Sequence, residues 1–159
     1  MGAIALAILN WLTLLVAGRP WGVTWGFTLW AAKVAQLLGW QPAGSEFWSQ
    51  GIGAAALQNS VFADYTSVMN FGVILGAALA AALAGRFVLK APPSGSAIVA
   101  AAIGGLLMGY GARLAFGCNV GAYFGGIAST SLHGWLWIGF ALLGTGLGVY
   151  LRPFFRLAN

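Results

Sequence analysis

The sequence contains very few charged residues. Only two of its 159 residues are acidic, Glu46 and Asp64, and charged residues of both signs make up 6% of the chain, against 60% hydrophobic residues. A soluble domain carries about 25% charged residues, so this chain has too little charge to cover a water-facing surface. With a mean hydropathy of +0.89, the chain is predicted to be an integral membrane protein.

The chain also contains a single cysteine, Cys118, and a single histidine, His133. One cysteine cannot form a disulfide within the chain or supply a multi-thiolate metal site, and no metal or cofactor is expected. The net charge of +5 comes without a cluster of basic residues, which argues against nucleic acid as a partner. The cations are interpreted instead as signals of membrane topology.

Five prolines, all at the edges of apolar runs, divide the sequence. The runs between them predict an all-α membrane protein, a single transmembrane domain over residues 1–159 with about five spans. The predicted spans are 3–17, 22–40, 66–84, 96–115 and 134–151. The first span is short, about 22 Å at 1.5 Å per residue, for a hydrocarbon core of about 30 Å.

The charges predict an orientation for these five spans. With the carboxyl terminus in the cytoplasm and the amino terminus outside, five of the seven cations lie inside and both acidic residues lie outside. The inside cations are Arg19, Arg86, Lys90, Arg152 and Arg156. Lys33, past the middle of the second span, is expected to extend its ammonium group to the outer interface. For Arg113, at the outer end of the fourth span, anchoring at the interface and a role in a site are equal alternatives.

Two segments between the spans, 43–65 and 117–133, are rich in small residues and too broken to cross. They are predicted to be re-entrant loops or interfacial helices. Irregular backbone at membrane depth is tolerated only where protein or a water-filled cavity surrounds it, so these segments favour a transport pathway over a simple anchor. Glycines four residues apart within the spans indicate close helix packing. These pairs are Gly22 and Gly26, Gly72 and Gly76, Gly105 and Gly109, and Gly144 and Gly148.

Cys118 lies in the second of these segments, between Gly117 and Asn119. Gly117 is expected to supply a turn with positive φ, and a short helix is expected to begin just after Cys118, with Asn119 as a good N-cap residue. The free N–H groups at the start of a helix favour an anion, so the segment is predicted to bind a small anion beside a sulfur atom. The residues predicted to contact the anion are Arg113, Gly117, Cys118, Asn119 and Gly121.

The alternative is that the cysteine is an inert small hydrophobe, as lone cysteines in apolar proteins usually are. His133, near the start of the fifth span, is expected to be a packed or interfacial residue. A ligand role for this histidine is not expected, because no partner ligand accompanies it.

The run GARLAFGCNVGAYFGGIASTSLHGWLW, residues 111–137, closely resembles the signature of the YeeE/YedE family of sulfur-compound transporters, which includes thiosulfate uptake proteins. A second run, GRPWGVTWGFTLWAAKVAQLLGW, residues 18–40, resembles another stretch of the same family. The resemblance implies a multi-pass permease of the bacterial inner membrane, built from two similar halves whose short re-entrant helices meet at a narrow waist. It implies that thiosulfate passes this waist by contacting cysteine thiols in turn, and that Cys118 is one of these relay thiols.

The usual single-chain member of the family is longer and holds further cysteines in its first half, so this chain resembles the carboxyl-terminal half. The expected partners are a second half-transporter chain or a second copy of this one, membrane lipid, and a TusA-like sulfur-carrier protein on the cytoplasmic side.

The leading prediction is uptake of thiosulfate or a related small sulfur-containing anion, without enzymatic chemistry. One alternative is an intramembrane sulfur-transfer or redox enzyme that uses Cys118 as its nucleophile, for which His133 is the sole candidate base. The other is an assembly subunit that does not transport.

Overall fold

A computed structural model describes residues 2–87 and 94–155, except for the side chain of Ala43. Every regular element in these ranges is helical, which confirms the all-α prediction. The α-helices are α1 (Gly2–Ala17), α2 (Thr24–Leu37), α3 (Glu46–Ser49), α4 (Gly51–Gln58), α5 (Tyr65–Leu83), α6 (Gly95–Leu114), α7 (Gly126–Ala128) and α8 (Leu132–Leu151). A π-helical segment, Asn119–Gly125, runs directly into α7, and 3₁₀ turns lie at Pro42–Gly44, Val61–Ala63 and Arg152–Phe155. Lys90 and Arg156, two of the cations used in the predicted topology, lie outside the described residues.

Three helices are long and apolar enough to cross a membrane: α5, α6, and α8 with the 3₁₀ turn that extends it to Phe155. The bounds of α5, α6 and α8 themselves, without the 3₁₀ turn, agree with the predicted spans to within two residues. The first helix, α1, is apolar but has only 16 residues, about 24 Å at 1.5 Å per residue.

The second predicted span, 22–40, is wrong in length. The helix found there, α2, has 14 residues, about 21 Å, which is short of the roughly 30 Å of a hydrocarbon core. It ends in a Schellman motif, in which Gly39 adopts φ +96° and donates to the carbonyl of Gln36 at 3.0 Å. Trp40 donates to the carbonyl of Ala35, also at 3.0 Å. A left-handed glycine at this position terminates a helix, even though the apolar run continues through it.

The chain divides into two compact units, Met1–Arg86 and Phe87–Asn159. In the first unit, α2 packs against α4 through the buried side chains of Leu29, Ala32 and Leu57. One residue beyond Ala32, the Lys33 ammonium donates to the carbonyl oxygens of Leu57 at 2.9 Å and Asn59 at 2.8 Å. A cation at the carboxyl end of a helix satisfies carbonyls that have no partner within the helix. The ammonium group of Lys33 thus binds the end of α4. The sequence had predicted that it extends to the membrane interface.

The crossing of α2 and α5 depends on Gly26. A Cβ at this position would lie 2.6 Å from Nδ2 of Asn70 and 3.1 Å from the backbone nitrogen of Ser67, so the contact requires glycine. Nδ2 of Asn70 also donates to the carbonyl of Val23 at 3.0 Å. The other seven glycines of the predicted packing pairs have no such neighbour: a Cβ on any of them would meet no atom of the described residues of its own unit within 4 Å.

The buried residues of α5 are polar. Thr66, Ser67 and Asn70 are 1%, 0% and 2% exposed. Oδ2 of Asp64 accepts hydrogen bonds from the N–H of Ser67 at 2.8 Å and from the hydroxyls of Thr66 at 2.6 Å and Ser67 at 2.7 Å, which caps the start of α5. Nε1 of Trp30 in α2 donates to the Ser67 hydroxyl at 2.8 Å. Polar side chains of this kind join helices in lipid, where no water competes for their hydrogen bonds.

The first unit brings together three charged residues that the predicted topology separates. The guanidinium of Arg19 lies 5.9 Å from the centre of the Tyr65 ring, and Arg19, Glu46 and Asp64 all line one cavity of about 940 Å³. The prediction placed Arg19 and the two acids on opposite sides of the membrane, yet a core of about 30 Å cannot separate residues that line one cavity. The helix between Arg19 and the two acids, α2, is short for a crossing, and the chain after it returns to the start of α2.

In the second unit, α6 and α8 run antiparallel. The start of α6 and the end of α8 line one cavity, which includes Ser94 and Phe154. At the opposite end, the carboxyl end of α6 meets the first turn of α8. The π-helical segment and α7 connect these two ends, and both lie against α8.

Gly26→Ala is expected to destabilise the first unit by about 1–3 kcal/mol, the usual cost of overpacking, because the methyl group must displace Asn70. Gly72→Ala adds the same methyl group to α5 where no described neighbour lies nearby, and it should change stability by at most about 1 kcal/mol, in the favourable direction. Thermal unfolding of the two purified variants in detergent measures the difference. Equal melting temperatures would contradict the tight crossing at Gly26.

Candidate functional site

The helix α6 ends in a strained turn just before Cys118. The N–H of Gly117 donates to the carbonyl of Ala112 at 2.9 Å, and that of Phe116 to the carbonyl of Arg113 at 3.4 Å, which is a Schellman motif. The left-handed residue of this motif, commonly glycine, is here Phe116, with φ +51°. A left-handed conformation costs an L-residue roughly 1–2 kcal/mol, so surrounding contacts must hold this turn in place.

The turn continues through Gly117, which has φ +155°. A Cβ here would lie 2.9 Å from Cβ of Ala122, so the prediction that glycine supplies the turn is confirmed. Cys118 follows in an extended conformation and is the N-cap of the π-helical segment. Its carbonyl accepts from the N–H of Ala122 at 2.8 Å and from that of Tyr123 at 3.4 Å. Asn119 is the first residue of the helical segment, so the cap position expected for Asn119 belongs to Cys118.

The helical segment closes with a second strained turn. After α7, the N–H of Ser131 donates to the carbonyl of Gly126 at 2.8 Å, and that of Thr130 to the carbonyl of Ile127 at 2.9 Å. Thr130 has φ +58°, which is rare for a β-branched residue.

Phe116 and Thr130 are the only residues other than glycine with positive φ in the described part of the chain. They bracket Cys118 and the helical segment. Strained backbone conformations cluster at binding sites and switch regions, and π-helical turns are also frequent at functional sites. The local backbone therefore marks residues 116–130 as a candidate functional site, independently of the thiol.

The helical segment packs on α8 backbone to backbone. A Cβ at Gly134 would lie 2.9 Å from the backbone of Gly126 and Ile127 and 3.0 Å from the carbonyl oxygen of Ala122. Ala122 is 3% exposed and touches Gly117 on its other side. The segment is thus held in a layer in which Ala122 fits between Gly117 and Gly134.

His133 connects the start of α8 to the end of α6. Its Nε2 lies 2.8 Å from the carbonyl oxygen of Ala115. A carbonyl oxygen can only accept a hydrogen bond, so Nε2 carries the proton and donates. Sequence alone treated His133 as a packed or interfacial residue, and the structure gives its ring a specific backbone partner.

The five predicted site residues occupy three positions. Gly117, Cys118 and Asn119 form the turn, and Cys118 is half-buried. Gly121 is the third residue of the helical segment, and a Cβ there would meet no described atom within 4 Å, so open space lies beside it. Arg113 is exposed in the last turn of α6. That these residues contact an anion stays a prediction.

Sequence reasoning missed Ala122, Gly126 and Gly134, on which the packing of the site depends. The available signal was the position of two glycines on either side of a serine-rich turn. In a chain with 25 glycines, such a spacing does not single out any residue.

A short helical segment between two helices of membrane-crossing length is typical of transport proteins, whose broken helices line a pathway. Residues 1–147 match the family model described as sulphur transport. The chain belongs to this sulphur-transport (YeeE/YedE) family, a family of membrane transporters.

The chain is similar to named members of the family. It is 35% identical over 156 residues to the "Probable transporter YedE" of Escherichia coli (strain K12), and equally to the protein of that name from Salmonella typhimurium (strain LT2). Each match covers 97% of this chain and 38% of the relative. The "Thiosulfate transporter TsuA" of Spirochaeta thermophila is 47% identical over 73 residues, 46% of this chain and 22% of that protein. No solved structure matches the chain at a significant level.

Gly134→Ala is expected to push the helical segment away from α8 and to destabilise the second unit by about 1–3 kcal/mol. It should also change the rate at which a maleimide alkylates Cys118, because the turn that carries the thiol loses its support. Gly139→Ala is the matched control, since it adds the same methyl group to α8 where a Cβ would meet no described atom within 4 Å. If the two variants melt alike and are alkylated alike, the backbone contact at Gly134 is not as described.

Proposed function

We propose that the chain forms half of a bacterial inner-membrane transporter that takes up thiosulfate or a related small sulfur-containing anion. The observation that carries this proposal is the position of Cys118. The only thiol of the chain starts a helical segment that is bracketed by the strained residues Phe116 and Thr130 and lies between two helices of membrane-crossing length. Membership of a sulphur-transport family supports the substrate class, and one relative is named as a thiosulfate transporter.

In the proposed mechanism, Cys118 acts as a relay contact. Its S–H group donates a hydrogen bond to the terminal sulfur of the anion, which water solvates poorly, and no covalent bond is made or broken. The first N–H groups of the continuous helical segment 119–128 have no partner within the helix. Together with the Arg113 guanidinium, they attract the anion. These contacts are weak by necessity, because a site that binds tightly does not conduct.

Gly121 gives the anion access to the segment. The absence of a side chain leaves open space within one helical turn of the thiol, so the anion can approach the backbone closely. A larger residue at this position would occupy the volume through which the anion reaches Cys118.

A second half completes the proposed pathway. The chain spans 38% of the length of either YedE protein, and it contributes one thiol to a relay that needs several. The partner is a second half-transporter chain or a second copy of this one. The apolar side chains of α5, α6 and α8 are exposed along most of these helices, which leaves surface for both lipid and this partner. A TusA-like carrier protein receives the sulfur compound on the cytoplasmic side.

We propose four membrane crossings, by α1, α5, α6 and α8, within one transmembrane domain. The contact between Arg19 and Tyr65 supports this count, because the chain leaves α1 and enters α5 at the same level. The helices α2 to α4 then enter and leave the membrane on one side, and a locally thinner bilayer accommodates the short α1.

With four crossings, both termini face the cytoplasm, whereas the five-span prediction placed the amino terminus outside. Arg86 and Arg152 then lie on the cytoplasmic side, where the sequence has no acidic residue. The outer side carries three cations, Arg19, Lys33 and Arg113, and both acids, Glu46 and Asp64. The four-crossing count therefore rests on the contact between Arg19 and Tyr65 and not on the positive-inside rule.

Cys118→Ala is expected to reduce uptake of labelled thiosulfate by roughly 10- to 100-fold, since a hydrogen bond to a charged group contributes about 1.5–3 kcal/mol. The amount of protein in the membrane should not change, and immunoblotting of the membrane fraction checks this. Uptake by proteoliposomes that contain this chain alone tests whether two copies suffice. Normal uptake by Cys118→Ala would exclude the relay, and a persistent persulfide on Cys118 in mass spectra would favour an enzyme.

Labelling of single cysteines in a Cys118→Ser background tests the topology. With four crossings, an impermeant maleimide should label Pro20→Cys in intact spheroplasts and should label Ala3→Cys only after permeabilisation. Ser129→Cys outside and Ser94→Cys inside are reference positions, because four and five crossings place them alike. The reverse pattern for Pro20→Cys and Ala3→Cys would restore the five-span arrangement.

A further inference from the structure

We infer that His133 is a positioning residue for Cys118 and acts through the backbone carbonyl of Ala115. The inference rests on the proposed function, in which the location of the thiol matters. Neither the family membership nor the named relatives give His133 a role. The observation behind it is the hydrogen bond of 2.8 Å between Nε2 of His133 and this carbonyl oxygen.

The carbonyl group of Ala115 needs an external partner. Ala115 is the C-cap of α6, and the last carbonyls of a helix have no partner within the helix. The His133 ring supplies this partner from the first turn of α8. The ring and Ala115 line an open groove whose other walls are mainly apolar, with Leu114, Phe116 and Trp137 among them.

Two adjacent residues of α8 hold both ends of the turn that carries the thiol. His133 binds Ala115, three residues before Cys118. Gly134 packs against the backbone carbonyl of Ala122, four residues after Cys118. Between these two points lie the left-handed Phe116 and Gly117. A strained conformation persists only where its surroundings determine it, so releasing one end lets the turn relax and the thiol move.

The geometry of the donor suggests which substitution preserves it. The amide nitrogen of glutamine is as many bonds from Cα as Nε2 of histidine, whereas that of asparagine is one bond nearer, like Nδ1. Glutamine can therefore donate to the Ala115 carbonyl, asparagine falls short, and leucine has no donor.

The test compares His133→Gln, His133→Asn and His133→Leu in the full chain, reconstituted in proteoliposomes. The readout is the rate at which N-ethylmaleimide alkylates Cys118, measured from pH 6 to 9 on protein that elutes as a single species. His133→Gln should stay within about twofold of the wild type, and His133→Asn and His133→Leu should each change the rate by about 5- to 10-fold. A purely structural role would not separate two amides that differ by one methylene group.

Equal alkylation rates for His133→Gln and His133→Asn, or a wild-type rate for His133→Leu, would overturn the inference. If His133→Leu does not fold, the comparison of the two amides decides alone. Thiosulfate uptake by Cys118→Ala separates this inference from the proposed function. If Cys118→Ala loses uptake and the His133 variants are alkylated at the wild-type rate, only the positioning role is refuted. If Cys118→Ala takes up thiosulfate normally and the His133 variants are alkylated at altered rates, only the relay is refuted.

Discussion

The backbone contact between the helical segment and α8 is the constraint on which the region around Cys118 depends. Ala122 fits between Gly117 and Gly134, where a side chain on either glycine would collide with the backbone or the methyl group. Between helices in lipid, close packing of small residues replaces the hydrophobic effect as the source of attraction. This contact, with the hydrogen bonds of the turns at Phe116 and Thr130, offsets the roughly 1–2 kcal/mol that each left-handed residue costs.

The two units satisfy the same requirement at their helix ends with different side chains. A helix end at membrane depth leaves backbone groups that water cannot reach, so each end needs a partner from the protein. In the first unit, the Lys33 ammonium binds the carbonyls at the carboxyl end of α4, and Asp64 caps α5. In the second unit, the His133 ring binds the carbonyl at the end of α6. Three of the few polar side chains in an apolar chain thus bind backbone groups at helix ends that have no partner within the helix.

Much of the fold could be predicted from the sequence because the residues next to each helix end determine where that helix stops. Glycine and proline lie at the ends of the long apolar helices, and four of the five predicted spans agree with helices to within two residues. The turn at Gly117 was predictable for the same reason, since few other residues adopt its conformation. The length of α2 was not, because Gly39 lies inside an apolar run and its role as a helix terminator appears only in the backbone. The contact between Arg19 and Tyr65 was equally out of reach, because it joins two residues that are 46 positions apart in the sequence.

The sequence by itself determined that this chain is an all-helical membrane protein with its one thiol in a glycine-rich break between two long apolar helices. Composition and local conformational preference are properties of the residues themselves and do not depend on tertiary contacts. Only the tertiary structure decided which small residues matter. Gly134 meets another backbone and Gly121 faces open space, yet the two have the same side chain and lie in the same part of the chain. What distinguishes them is the surface that each one meets, and that surface exists only once the helices have packed.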